Sequence, residues 1–265
     1  MNRMTDPTVE QTILAQRQAL QAAVRSGDAL AAHLLGRGRL GSRLTAGNAA
    51  LVLQVCPTAE AAMSAEDWQN FGRGVRRGET GVATLTRTGG ELALRHLFVP
   101  EQTYGNKPWS VPHLDEDADG AAAALEGLRP LLPVPLTAAF DLAEPVRLTE
   151  KGDALLFRPG LPDAELLRNL PGAMVRAYCG QYEPGLQSAT GILDFAAAVQ
   201  TELCGRFGLA VPPDVLERLD HFAASIPEPE VRARLEDVRA MSLPIGDCMA
   251  AALIRHRDAP PREDR

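Results

Sequence analysis

Ile13, Leu20, Val24, Leu30 and Leu34 recur at roughly helical spacing along the start of the chain. The periodicity predicts an amphipathic helix over 7–35, with Pro7 in its first turn and Gly36, Gly38 and Gly41 breaking any continuation. A second helix is expected over 45–56, where Asn48 precedes the apolar run Ala49-Ala50-Leu51-Val52-Leu53 and Pro57 forces a stop. A third begins at Ser64, because Ser64-Ala65-Glu66-Asp67 has the form of a capping box with Asp in place of Glu. Trp68 and Phe71 then share one helical face.

After Gly72 the period changes. Residues 73–79 form a basic, glycine-punctuated turn, and 81–88 and 91–99 read as two strands joined at Gly89-Gly90, a strong hairpin signal. Pro100 ends the second strand, and a loop through Gln102, Thr103 and Tyr104 runs to Trp109. Residues 110–120 are polar and acidic and read as a linker. A helix over 121–131 follows, then short strands over 136–140, 146–148 and 154–157, then helices over 163–178, 188–207, 213–225 and 229–255. The expected architecture is α+β. A helical module with a β-hairpin occupies 1–110, a domain of short strands and helices occupies 120–256, and 257–265 is a frayed tail.

Composition limits the function. No run of 18 apolar residues is present, so no membrane-spanning helix is expected, and the first residues lack the apolar stretch of a secretory leader; a cytoplasmic protein is expected. Cys56, Cys179, Cys204 and Cys248 are too far apart for a zinc site or a small disulfide scaffold, and read as reduced thiols. Abundant alanine, and arginine far above the two lysines Lys107 and Lys151, suggest a GC-rich bacterial genome.

The net charge of −7 speaks against a nucleic-acid partner until it is divided along the chain. Residues 33–107 carry a net +3 and residues 108–265 a net −10, so an anionic partner is to be sought in the basic third. A single strand offers phosphates to cations and backbone amides, and base faces to aromatic rings. The turn supplies Arg73, Arg76 and Arg77 beside glycines, and Trp68, Phe71, Phe98, Tyr104 and Trp109 lie close by. Trp68 and Phe71, three apart on a helix, and Phe98, before Pro100, also fit a core. Tyr104 and Trp109 share a loop with Lys107 and fit either a core or a contact role. Arg76 and Arg77 fit phosphate contact or a solvated turn in which Arg77 pairs with Glu79. Asn48 fits DNA contact or a cross-link to the module's own backbone, and Gln102 and Thr103 fit contact or loop organisation.

The order of parts over 41–109 resembles the N-terminal domain of antirestriction proteins of the ArdC type. The matching parts are Asn48, then Gln54-Val55-Cys56-Pro57, then Trp68, then Gly72-Arg73-Gly74-Val75-Arg76-Arg77-Gly78-Glu79-Thr80-Gly81, then Gln102-Thr103. The resemblance implies binding of single-stranded DNA, with Arg73, Arg76, Arg77, Asn48, Trp68, Gln102, Tyr104, Lys107 and Trp109 as contact candidates.

Such proteins usually continue into a zinc-peptidase-like domain with His-Glu-x-x-His on one helix and a Glu ligand on a later one. Two His four apart face one side of a helix and share a metal. The matching helix here has Pro171 and Gly172 where His and Glu would stand, and Arg176 is read in place of the second His, one position beyond Val175, where four-residue spacing puts it. The later helix, running to Cys204-Gly205-Arg206-Phe207-Gly208-Leu209, has Ala197 at the Glu position. The five histidines are isolated, with His113 read as a linker residue, and no Gly-x-Ser-x-Gly, P-loop or dinucleotide fingerprint is present.

The expectation is therefore a non-catalytic single-stranded-DNA-binding protein of bacterial DNA metabolism, serving antirestriction, transfer, replication or repair. It would have no cofactor, no metal and a degenerate peptidase-like second half. That acidic half would supply stability, a protein partner surface or self-association. The alternative is a protein-interaction scaffold, derived from an inactive peptidase, that has lost DNA binding.

Overall fold

The structure is a computed structural model and describes residues 7–183 and 189–258. It begins with four helices, α1 (Val9–Ala23), α2 (Gly27–Arg39), α3 (Ala46–Val55) and α4 (Ala65–Phe71). Four strands follow, β1 (Gly74–Val75), β2 (Val82–Thr88), β3 (Glu91–Leu97) and β4 (Thr103–Tyr104). After α5 (Ala118–Leu128) come β5 (Leu136–Ala138), β6 (Val146–Leu148) and β7 (Leu155–Phe157). The chain continues as α6 (Asp163–Tyr182), α7 (Thr190–Phe207), α8 (Pro213–Ser225) and α9 (Val231–Asp258). The fold is α+β. β2 and β3 form the hairpin across Gly89-Gly90, β1 pairs antiparallel with β4, and the third sheet has the order β5-β7-β6 with β5 parallel to β7.

Locally written features appear where the sequence puts them. Thr45 caps α3, and Ser64 and Asp67 form the reciprocal box at the start of α4. The helices of the second half lie close to their expected spans. The tail over 257–265 falls almost wholly outside the described residues.

Three features differ from the sequence reading. The single helix expected over 7–35 is two helices, because Ser26 starts α2 by accepting the Ala29 N–H at 3.2 Å. The Asp220 carboxylate, on α8, accepts the Gly27 N–H at 2.7 Å. Next, Gly36 and Gly38 do not break α2. A Cβ at Gly38 would collide with the Glu202 carbonyl, and one at Gly205 with the Leu35 carbonyl, so the two glycines let α2 and α7 touch backbone to backbone. Finally, 110–120 is not a free tether. Leu114 is 1% exposed and its N–H bonds the Phe207 carbonyl at 2.9 Å, while Asp115 takes Arg168 and the Ala210 N–H.

The main core crosses that stretch. Leu20, Leu30 and Leu34 belong to one buried cluster with Leu170, Leu203 and Leu219, and α2 packs on both α7 and α8. Inside it, the wholly buried Arg37 pairs with Glu202 and donates to the Leu235 carbonyl at 2.7 Å; Ser242 donates to the other Glu202 oxygen at 2.8 Å. A second, smaller cluster, including Leu40, Val52, Leu97 and Val99, sits under the hairpin.

Candidate nucleic-acid interface

The basic turn is a four-residue reversal. The Arg76 carbonyl accepts the Glu79 N–H at 3.2 Å, and Gly78, third in the turn, has φ +91°, a value a type II turn requires there and a side chain disfavours. Arg77 therefore rides the crest, exposed, with no hydrogen bond or ion pair among the described residues; it does not pair with Glu79.

Gln102 holds the turn in place. Its amide nitrogen donates to Glu79 and to the Thr80 carbonyl, both at 3.0 Å, and its amide oxygen accepts the Val99 N–H at 3.1 Å. Arg76 is pinned from the same side, its N–H bonding the Gln102 carbonyl at 2.9 Å and its guanidinium the Glu101 carbonyl at 2.6 Å. Arg73 donates to the Thr103 hydroxyl at 2.8 Å and to the Lys107 carbonyl at 2.6 Å. Arg73, Gln102 and Thr103 are thus occupied in fastening the loop, while Arg76 and Arg77 are exposed.

Beside the turn, Tyr104 is 61% exposed. It pairs across the strands with Gly74, and a Cβ at Gly74 would lie 2.8–2.9 Å from the phenol ring. The absent side chain is what lets the ring rest on the β1 backbone and keep its other side in solvent.

The remaining aromatics are arranged differently. Trp68, expected among the contacts, is 0% exposed and offers no face to a base. Its indole N–H donates to the Phe98 carbonyl at 2.7 Å, and its ring meets Phe71 and Trp109 edge-on, with centroids 6.0 and 5.8 Å away. Trp109 is half-buried, donates to the Glu60 carbonyl at 3.2 Å and packs on Phe71. Lys107 lies over Phe71, with Nζ 4.2 Å from the centroid.

Asn48 lies away from this face and makes the backbone cross-link. Its amide pairs with the N–H and carbonyl of Leu85 in β2, and its oxygen also accepts from Gln16 of α1 at 2.6 Å. It lines an open cavity of about 550 Å3 bordered by α1, α3, the hairpin and α9. Arg43, Arg87, Arg95 and Arg232 wall that cavity, with Glu236 as its one carboxylate. Glu236 accepts the Ala46 N–H at 2.6 Å and the Arg239 Nε at 2.7 Å. Arg43, Arg87 and Arg95 fall in the basic third, but no local pattern singles them out there. Arg232 comes from the acidic half, and no local signal joins it to the others.

Of the four positions matched to the peptidase site, Gly172, Arg176 and Ala197 line one cavity of about 310 Å3, with Glu144, Asn169, Gln200, Asp214 and Arg218, and Pro171 does not. The space a side chain at 172 would need is filled by the Gln200 amide, which donates to the Arg168 carbonyl. Arg218 pairs with the buried Asp194 at 3.4 Å. Burial lowers the Arg176 pKa; Glu144 opposes that and the neighbouring Arg218 adds to it. Glycine, arginine and alanine offer no donor to a zinc ion, and no group of three His, Cys, Asp or Glu able to hold a metal is found among the described residues. The residues present do not fit the metal. Cys204 is buried, which pushes its thiol up to about 12, so it holds no thiolate near neutrality. No helix among the described residues is long and apolar enough to cross a membrane.

No family model matches the chain, and no curated protein matches it. Among solved structures, it is similar to the metal-free antirestriction ArdC protein from plasmid R388, at 13% identity and a TM-score of 0.45, over 79% of this chain and 85% of that one. The Mn(II)-bound structure of that protein matches at 12% identity and a TM-score of 0.48, over 78% and 84%. These structures carry the family name that the 41–109 motifs resemble.

Proposed function

We propose that the chain is a non-catalytic single-stranded-DNA-binding protein of bacterial DNA metabolism, engaged in the protection, repair, replication or transfer of DNA. The reading is carried by one observation: an exposed Tyr104 ring, seated on Gly74, stands beside a turn that presents Arg76 and Arg77 to solvent. A ring for base stacking next to cations for phosphates is the pairing that sequence-tolerant strand binding needs. Lys107 adds a third exposed cation. In this reading Arg73, Gln102 and Thr103 set the geometry of the surface, Trp68 and Trp109 support it from below, and residues 120–256 retain a peptidase-like scaffold without its metal.

Fluorescence anisotropy with a labelled oligothymidylate tests it. Binding is expected to weaken with salt, with a log–log slope of about −0.7 per phosphate neutralised. No binding at about 50 mM salt overturns the reading. In that event the scaffold alternative gains, and it has its own observation: an apolar groove of about 270 Å3, lined by Met174, Met241 and Ile245, beside the exposed rings of Tyr178 and Tyr182.

A further inference from the structure

We propose that the cavity walled by Arg43, Arg87, Arg95 and Arg232 is a nucleotide-binding site, taking a nucleoside monophosphate unit and completed by the C-terminal helix α9. None of Arg76, Arg77, Tyr104 or Lys107 lines it, so the inference stands apart from the strand-binding face.

Charge is the first reason. Four arginines line one open volume, and among the described residues only Arg95 of the four pairs with a carboxylate. Arg43 has no hydrogen bond or ion pair among the described residues. Among the described residues, the side-chain hydrogen bonds of Arg87 go only to the Gly90 carbonyl, at 3.3 Å, and those of Arg232 only to the Gln16 amide oxygen, at 2.8 Å. Arg95 pairs with Asp67. Glu236, the single carboxylate of the wall, is engaged by Arg239 and the Ala46 N–H. Cations gathered around a concavity raise the local concentration of anions. Planar guanidinium groups match the paired oxygens of a phosphate.

Size and lining are the second reason. About 550 Å3 lies within the range of small-molecule sites. Ile13 and Leu92, large apolar residues about two-fifths exposed, flank the arginines and give a sugar and base something apolar to lie against. No aromatic ring lines the cavity, so recognition rests on the phosphate and base preference is slight.

Assembly is the third. Arg43 follows α2, Arg87 and Arg95 stand on the two arms of the hairpin, and Arg232 is in the first turn of α9. Two contacts hold these parts in register: Asn48 fixes β2 to α3, and Glu236 fixes α9 to the start of α3. The site exists only in the folded whole chain.

The unit could arrive as a free nucleotide or as one link of a single strand. The full-length protein is therefore titrated with thymidine 5′-monophosphate by NMR and with a labelled oligothymidylate by anisotropy. Arg43→Ala with Arg232→Ala is expected to weaken the monophosphate, the oligonucleotide or both by about tenfold or more. Arg43→Ala with Arg87→Ala, which removes two exposed side chains and leaves α9 untouched, is expected to do the same. An unchanged melting temperature shows that the fold is intact.

Loss for both ligands identifies a strand link, as does loss for the oligonucleotide when the monophosphate alone does not bind. Loss for the monophosphate alone identifies a free nucleotide. Arg76→Ala with Arg77→Ala should leave monophosphate binding within about twofold. The proposal is overturned if neither cavity variant changes the affinity of either ligand, whatever the Arg76 and Arg77 variant does. Monophosphate binding lost in the cavity variants of a protein that ignores oligonucleotides would uphold this site while sinking the strand-binding reading.

Discussion

The side-chain amide of Asn48 pairs with both backbone groups of Leu85: its oxygen accepts the Leu85 N–H at 3.0 Å, and its nitrogen donates to the Leu85 carbonyl at 2.8 Å. A helix side chain thereby imitates a neighbouring strand along the free edge of the hairpin. Replacement by alanine strands both Leu85 groups and the Gln16 amide. Asn48→Ala should cost about 1–3 kcal/mol in urea unfolding. Asn48→Asp should cost more, because a carboxylate faces the Leu85 carbonyl with no proton to give. Equal stability of wild type and Asn48→Asp would count against the pairing.

The Tyr104 platform can be removed without touching a charge. Gly74→Ala should displace the ring, and Tyr104→Ala should delete it. Each is expected to weaken oligothymidylate binding by about 1–3 kcal/mol with an unchanged salt slope. Tyr104→Phe should bind as wild type does. Arg76→Ala with Arg77→Ala should instead flatten the slope, by about 0.7 for each phosphate no longer neutralised. A flattened slope in Tyr104→Ala would contradict this division of roles.

The buried pair of Arg37 and Glu202 is expected to be costly to break and cheap to replace. Arg37→Met alone leaves Glu202 as an uncompensated buried charge and should destabilise by about 3–5 kcal/mol. Arg37→Met with Glu202→Leu should recover much of that loss. A double-mutant cycle in urea measures the coupling, and simple additivity would refute it.

His33 should make the fold acid-sensitive. Burial, with the charge of Arg37 behind it, pushes its imidazole down to about 3 from the ordinary 6.5. Above pH 6.5 neither the folded nor the unfolded chain protonates it. Between 6.5 and about 3 only the unfolded chain does, so stability falls as pH falls through that window, by up to about 1.4 kcal/mol per pH unit. Unfolding free energies at pH 7.5, 5.5 and 4.5 should drop more steeply for wild type than for His33→Leu. Parallel curves would show that His33 does not contribute.

What was legible in the sequence was whatever is decided within a few residues. Gly89-Gly90 gave away the hairpin, Ser64 with Asp67 the start of α4, and apolar spacing the helices of the second half. One misreading was local, the Ser26 cap that starts α2, and the others came from partners far along the chain. Gly36 and Gly38 look like helix breakers until α7 supplies a backbone for Gly38 to touch. The interruption before α2 is reinforced by Asp220, almost two hundred residues away. Among the site residues, the exposure of Arg76, Arg77 and Tyr104 follows from a local turn and a two-residue sheet. The arginine-walled cavity draws on positions 43, 87, 95 and 232, which only tertiary packing brings together.

The contact of Gly38 with α7 and of Gly205 with α2 sets a rule for chimeras. Two helices without intervening side chains mate only with each other's exact relief, so the halves behave as a lock cut to one key. A graft of the first 110 residues onto a foreign C-terminal half would carry every motif of the proposed strand-binding face. It would still lack a seat unless the incoming helix brought a glycine opposite Leu35 and a carboxylate opposite Arg37. An exchange of halves is therefore expected to fold only with partners that share this seam.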